Sequence, residues 1–109
     1  MKISVIIPTL NEAKIIKQQV EDIKRKAGDE PVEIIVADAF SEDGTAESAK
    51  AGGAKVVSVE KSCRARQMNA GAKIALGDIF YFVHADLTVP ASFVQDIYSA
   101  VEEGHSYGC

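Results

Sequence analysis

Several things are scarce in this 109-residue chain, and each scarcity removes a class of function. There are two cysteines, Cys63 and Cys109, at no metal-binding or redox spacing. A disulfide scaffold, a zinc module and a thiol–disulfide enzyme therefore lack their residues, and two reduced thiols in a cytosolic protein are expected. Cations are also short: 12 Lys and Arg stand against 16 Asp and Glu, a net charge of −4. A nucleic-acid binder normally carries a basic surplus, so no nucleic-acid partner is expected, and any bound anion must be gripped locally. No apolar run exceeds strand length, which is too short to span a bilayer. The opening residues, Met1-Lys2-Ile3-Ser4-Val5-Ile6-Ile7-Pro8, are too few for a signal-peptide core and hold no cleavage site. Repeats and low-complexity tracts are missing too.

What is present is ordinary for a globular domain: 47% hydrophobic and 26% charged residues. The length suits one domain with a real core. Residues 3–7 form an apolar run stopped by Pro8, and a helix is expected from about Glu12 to Ala27. Its Ile16, Val20, Ile23 and Ala27 share one face, and Gly28 follows a basic last turn as a natural stop. Residues 32–37 and 55–59 read as further strands, separated by a short helix over 45–51. A small-residue helix follows from Cys63 to about Leu76. Then come a strand at 79–83, expected to be covered on both faces, and a last helix with Pro90 in its first position. Strands alternating with helices imply parallel pairing and right-handed crossovers. The expected fold is three-layer α/β/α with a mostly parallel sheet. Residues 104–109 read as the approach to another strand.

Parallel pairing carries the strand ends to one edge, where open α/β sheets bind ligands. Thr9, Asn11 and Glu12 follow the first strand, Asp38, Ser41 and Asp43 the second, and His84 and Asp86 the fourth. Singly, Asn11, Ser41 and Asp43 are equally good as capping or turn residues. His84 and Asp86 differ, because spacing i, i+2 at a strand end puts a carboxylate and an imidazole on one side. That pair suits a cation. The glycines of a dinucleotide-binding turn and the Lys-Ser/Thr of a phosphate loop are both missing. Phosphate must then be neutralised otherwise. Lys61, Arg64 and Arg66 surround the start of the third helix, where free N–H groups already favour anions. Arg66 is capable of bidentate contact with a diphosphate, whereas the plainer reading is a solvated basic helix start.

Four motifs now stand in register: Ser4-Val5-Ile6-Ile7-Pro8-Thr9-Leu10-Asn11-Glu12; Ile34-Ile35-Val36-Ala37-Asp38 with Ser41-Glu42-Asp43-Gly44-Thr45; Arg64-Ala65-Arg66-Gln67-Met68-Asn69-Ala70-Gly71; and His84-Ala85-Asp86. In order and spacing the chain resembles family 2 glycosyltransferases of the GT-A fold, most closely bacterial cytosolic members with His-Ala-Asp in place of Asp-x-Asp. The resemblance implies a Rossmann-like, nucleotide-binding half and a nucleotide-diphosphate sugar donor, a UDP-sugar being favoured. It also implies a divalent cation, Mn²⁺ or Mg²⁺, and an acceptor not identified by these motifs. Carried over residue by residue, the donor site comprises Pro8, Thr9, Asn11, Glu12, Asp38, Ser41, Arg66, Asn69, His84 and Ala85. Asp86 is the principal metal ligand, with His84 in the position of the first motif carboxylate.

The chain departs from the family in three places. His84 replaces a carboxylate and is a poorer partner for a hard cation, leaving either weaker metal binding or a ribose contact. Ala39 and Phe40 stand where Asp or Gly and then Gly are usual, so that Phe40 either stacks on the base or fills part of the pocket. The family's acceptor half, with its general base, lies downstream of the metal motif, and this sequence stops before it. The expectation is a donor-binding domain that binds nucleotide weakly and transfers sugar poorly or not at all, with no catalytic residue assigned. The competing readings are a non-catalytic nucleotide-binding or regulatory module of the same fold, and a receiver-like domain. The latter wants an Asp at the end of the third strand, where Val59-Glu60-Lys61 has none. A cytoplasmic location is expected, peripheral to a membrane if the acceptor is a lipid. An exposed sheet edge makes a homo-oligomer a further expectation.

Overall fold

Short apolar runs alternating with amphipathic stretches fold as that pattern requires. The computed structural model describes residues 2–60 and 63–102. The order is β1 (Ile3–Thr9), α1 (Ala13–Ala27), β2 (Val32–Asp38), α2 (Thr45–Gly52), β3 (Lys55–Ser58), α3 (Arg64–Ile74), β4 (Ile79–Phe82) and α4 (Phe93–Glu102). The four strands form one sheet in the order β3-β2-β1-β4, and every pairing is parallel. Lys61 and the expected strand approach at 104–109 lie outside the described residues.

Alternation divides β1 and β2 between two faces. Ile3, Val5 and Ile7 join Ile34 and Val36 in a core with Ile16, Val20, Ile23 and Ala27 of α1, Ala49 of α2 and Phe93, Val94 and Ile97 of α4. The stripe read from the sequence of α1 is thus the buried one, and each fully buried aliphatic side chain contributes about 1.5–3 kcal/mol. Ile6, on the other face, meets α3. That helix lies so close that a Cβ added at Gly71 would stand 2.5 Å from Cγ2 of Ile6. The small side chains of α3 are what allow the approach.

Two expectations are corrected. Residues 79–83 are not fully covered: Phe80, Tyr81 and Phe82 are half-buried, and among the described residues β4 is the outermost strand. Tyr81 stacks on Phe93, ring centroids 6.0 Å apart, so aromatic area on β4 is used to seat α4. Pro90 does not open the last helix. It opens a turn closed by Phe93 N–H on the Pro90 carbonyl at 3.1 Å, and α4 begins three residues later.

At the rim where strands begin, a buried carboxylate ties the sheet to α3. Glu33 Oε1 accepts from Ser4 Oγ and from Leu76 N–H, each at 2.6 Å. Glu33 Oε2 lies 3.2 Å from Lys55 Nζ and 3.6 Å from Lys2 Nζ. Gly77 N–H donates to Ser4 Oγ at 2.9 Å, and no larger residue fits there: its Cβ would be 2.4 Å from that oxygen.

Candidate functional site

At the opposite rim the chain leaves β1 and β2 through two loops that hold each other. Asp38, 2% exposed, accepts from Thr9 Oγ1 at 2.8 Å, from Ser41 N–H at 2.9 Å and from Ser41 Oγ at 2.5 Å. Ser41 Oγ accepts from Asn11 N–H at 2.7 Å, and Asn11 Oδ1 accepts from Glu42 N–H at 3.1 Å. Thr45 Oγ1 accepts from Glu12 N–H at 2.9 Å, and Asp43 Oδ2 accepts from Ala13 N–H at 3.1 Å. The first turn of α1 is therefore capped from the neighbouring loop, not by Asn11 or Glu12. The Thr45 hydroxyl, followed by N–H groups of Ala13 and Thr45, holds the Asp43 carboxyl below the usual carboxylate range. Asn11 and Phe40 both sit at positive φ, 55° and 50°. Asn tolerates that conformation. Phe does not, and is held there at a cost of about 1–2 kcal/mol with the residue 58% exposed.

A third segment completes the rim. Val83 N–H donates to the Ile6 carbonyl at 3.0 Å, extending the β1–β4 pairing one step and delivering His84 beside the end of β1. The turn 84–87 is closed by Leu87 N–H on the His84 carbonyl, which also accepts from Gln19 Nε2 of α1 at 3.3 Å. Ala85 is buried and Asp86 is exposed. From α3, buried Gln67 donates through Nε2 to the carbonyls of Thr9 and Ala37, both at 2.9 Å, and so fixes the ends of β1 and β2. One turn earlier, Arg64 places Nη2 at 3.1 Å from His84 Nδ1.

These segments enclose a cleft of about 650 Å³ lined by Pro8, Thr9, Leu10, Glu12, Arg64, Gln67, His84, Ala85 and Asp86. Of the expected residues, Pro8, Thr9, Glu12, His84, Ala85 and Asp86 meet there. Asn11, Asp38 and Ser41 do not line it but brace the wall behind it. Arg66 and Asn69 are exposed on α3 and are not brought to the cleft; its cation is Arg64 instead of Arg66. The reason is helical phase. Gln67 and Gly71 face the sheet, which turns Arg64 toward the cleft and Arg66 away from it. Leu10 and Gln67 were not singled out from the sequence, and Arg64 was named there only as one of three cations at the start of the third helix, with Arg66 preferred. The signal that sets Arg64 and Gln67 on one side was their spacing from Gly71, at i−7 and i−4 on the same helix.

Among the described residues, no three His, Cys, Asp or Glu side chains cluster as a metal cage. Asp86 makes no hydrogen bond or ion pair with another described residue. That donor set fits a cation of the Mg²⁺ kind, which is commonly held by one or two carboxylates together with substrate phosphates and water.

The sequence profile described as "Glycosyl transferase family 2" matches residues 4–109. The chain belongs to that family. Among family relatives, glucosyl-3-phosphoglycerate synthase of Mycolicibacterium smegmatis is 38% identical over 96 residues, covering 81% of this chain and 32% of the relative. Dolichol-phosphate mannosyltransferase of Pyrococcus furiosus is 32% identical over 109 residues, covering 95% of this chain and 31% of the relative. The crystal structure of glucosyl-3-phosphoglycerate synthase from Mycobacterium tuberculosis in complex with Mn²⁺, UDP and glucosyl-3-phosphoglycerate superposes with a TM-score of 0.74 at 30% identity. It covers 92% of this chain and 39% of that one. The chain spans about a third of the length of the curated relatives it matches. Its parallel sheet flanked by helices is the GT-A glycosyltransferase architecture. Among the described residues, no helix is long and apolar enough to cross a membrane.

Proposed function

We propose that this chain forms the donor side of a glycosyltransferase, binding a nucleoside diphosphate sugar, with a UDP-sugar favoured, for transfer to an acceptor hydroxyl. The observation that carries the reading is the convergence of a guanidinium, an imidazole and an unpaired carboxylate, Arg64, His84 and Asp86, on one cleft between β1, α3 and β4. Transfer breaks the bond between the anomeric carbon and the diphosphate oxygen and forms one to the acceptor oxygen, whose proton must leave. Charge therefore develops on the departing diphosphate, and groups fixed in advance to meet it lower the barrier. Arg64 supplies a permanent positive charge at the first residue of α3, where the N-terminal end of the helix dipole adds to it. Glu12 and the Pro8-Thr9 end of β1 stand where the nucleoside would lie, on a wall kept rigid by Asp38, Ser41 and Gln67. Asp86 would hold the cation, Mn²⁺ or Mg²⁺, which would neutralise diphosphate charge when bound. The Mycobacterium tuberculosis relative captured with Mn²⁺ and UDP supports a divalent cation accompanying the nucleotide.

Calorimetric titration with UDP tests the reading. UDP binds with micromolar affinity, more tightly with Mn²⁺ present, and Asp86→Ala abolishes the Mn²⁺ effect while leaving the fold intact. Absence of UDP and GDP binding in every buffer would overturn the donor-site reading. Binding in full, with no sugar transferred to any acceptor in a UDP-release assay, would instead establish a nucleotide-binding module.

A further inference from the structure

We infer that His84 is not a cation ligand but a hydrogen-bond donor to the diphosphate, coupled to Arg64, so that this cleft holds a nucleoside diphosphate without a metal ion. The inference rests on the donor-site reading and adds a division of labour within it. Its starting point is one contact: Arg64 Nη2 stands 3.1 Å from His84 Nδ1. A guanidinium has five N–H donors and no acceptor, so Nδ1 must present its lone pair to Arg64. In the imidazole so paired, the proton sits on Nε2. Both ring nitrogens are then committed, one to accepting from Arg64 and the other to carrying a proton. Neither has a lone pair left for a cation.

The consequence is a change in how charge is met. A carboxylate in position 84 would repel a diphosphate unless a cation stood between them. His84 instead offers an N–H, beside a guanidinium that the same ring orients. Hydrogen bonds to ionised acceptors are about twice as strong as neutral ones, and those from a fixed guanidinium carry their own charge. His84 is further steadied by its backbone, since its carbonyl accepts from Gln19 Nε2 and Leu87 N–H. Asp86 is left as the single side chain of the turn with its acceptors free for a cation. Metal is then an addition to diphosphate binding, not a condition of it.

The test compares UDP titrations in EDTA and in Mn²⁺ for the unmodified protein, His84→Asp, His84→Asn and Arg64→Gln, with thermal melts to confirm folding. The unmodified protein binds UDP in EDTA within about tenfold of its affinity in Mn²⁺, a difference of no more than about 1.4 kcal/mol. His84→Asp loses on the order of 100-fold in EDTA and regains most of it with Mn²⁺. His84→Asn keeps an acceptor for Arg64 but lacks the distal N–H, and weakens binding in both buffers without creating metal dependence. Arg64→Gln weakens binding about tenfold in both. Independently, the long-range ¹H–¹⁵N spectrum of His84, distinguished from His105 by the His84→Asn spectrum, shows the Nε2–H tautomer. UDP binding that requires Mn²⁺ in the unmodified protein, or a proton on Nδ1, overturns this inference and leaves the donor site standing. Failure to bind UDP in either buffer overturns both.

Discussion

At the rim where the strands begin, Glu33 is 8% exposed and its two oxygens receive a hydroxyl, a backbone N–H and two lysine ammonium groups. At the rim where they end, Asp86 stands in solvent with its oxygens unclaimed by any described residue, and Phe40 is held in a conformation unfavourable for it. The first rim spends its polar groups on each other and closes the gap between β1, β2 and the end of α3. The second turns a carboxylate, an imidazole edge and a guanidinium toward a cleft. Satisfaction marks structure, whereas chemical capacity left open, with strain retained beside it, marks a place meant for a ligand.

The contrast can be broken most forcefully at Glu33. Glu33→Ala deprives Ser4 Oγ and Leu76 N–H of their acceptor and should cost about 2–4 kcal/mol, lowering the melting temperature by roughly 10–20 °C. Glu33→Gln keeps an acceptor and should cost less. UDP affinity of the folded fraction should not move in either variant, and a loss of affinity would show the rims to be coupled.

Acid probes the same carboxyl without mutation. Burial pushes the Glu33 pKa up, but hydrogen bonds from Ser4, Leu76 N–H and Lys55 outweigh it and hold the group at about 2 instead of 4.5. Because the folded value lies below the unfolded one, the stabilisation is complete above about pH 4.5 and is lost as pH falls toward 2. It amounts to no more than about 3 kcal/mol, reduced by the solvent exposure of Lys2 and Lys55. Urea midpoints measured from pH 6 to pH 2 should fall for the native protein and fall less for Glu33→Gln.

The opposite rim should respond in the opposite sense. Phe40→Gly removes the left-handed penalty and should raise stability by about 1 kcal/mol, or a few degrees in the melt. UDP binding should weaken if the exposed ring contacts the nucleotide. The smallest change in stability belongs to Asp86→Ala, within about 0.5 kcal/mol because nothing described depends on that side chain. A larger drop would place Asp86 in the structural class with Glu33.

Much of this was legible in the sequence because burial periodicity was strong: the α1 stripe and the runs of β1 and β2 follow from it, whereas His84 and Asp86, expected on one side of an extended strand end, lie in a turn closed by Leu87 N–H on the His84 carbonyl. Three further features were not legible, for distinct reasons. Helix α3 is rich in alanine and glycine, so no bulky stripe announces which side meets the sheet, and a buried glutamine at position 67 runs against polar-out patterning. Its phase is set by contacts with Ile6, Thr9 and Ala37 that only the fold creates, which is how Arg66 was favoured over Arg64. Residues 79–83 form an apolar run suited to a central strand, and only the strand order places it outermost among the described residues. Glu33, likewise, carries no local sign of its burial, because its partners come from positions 2, 4, 55 and 76.

Strand order also governs how the molecule reaches its final form. Residues joined across β1 and β2 are separated by 29 positions, as in Ser4 with Glu33, whereas those joining β1 to the start of β4 are separated by 76. Closing the longer loop costs about 1 kcal/mol more chain entropy, and contacts so distant form slowly. We predict that the β1–β4 seam closes late, so that mutations in it speed unfolding more than they slow folding in stopped-flow measurements, and that Arg64 meets His84 only once it has closed. A nucleotide held across that seam, as proposed, would stabilise the finished sheet and none of its precursors.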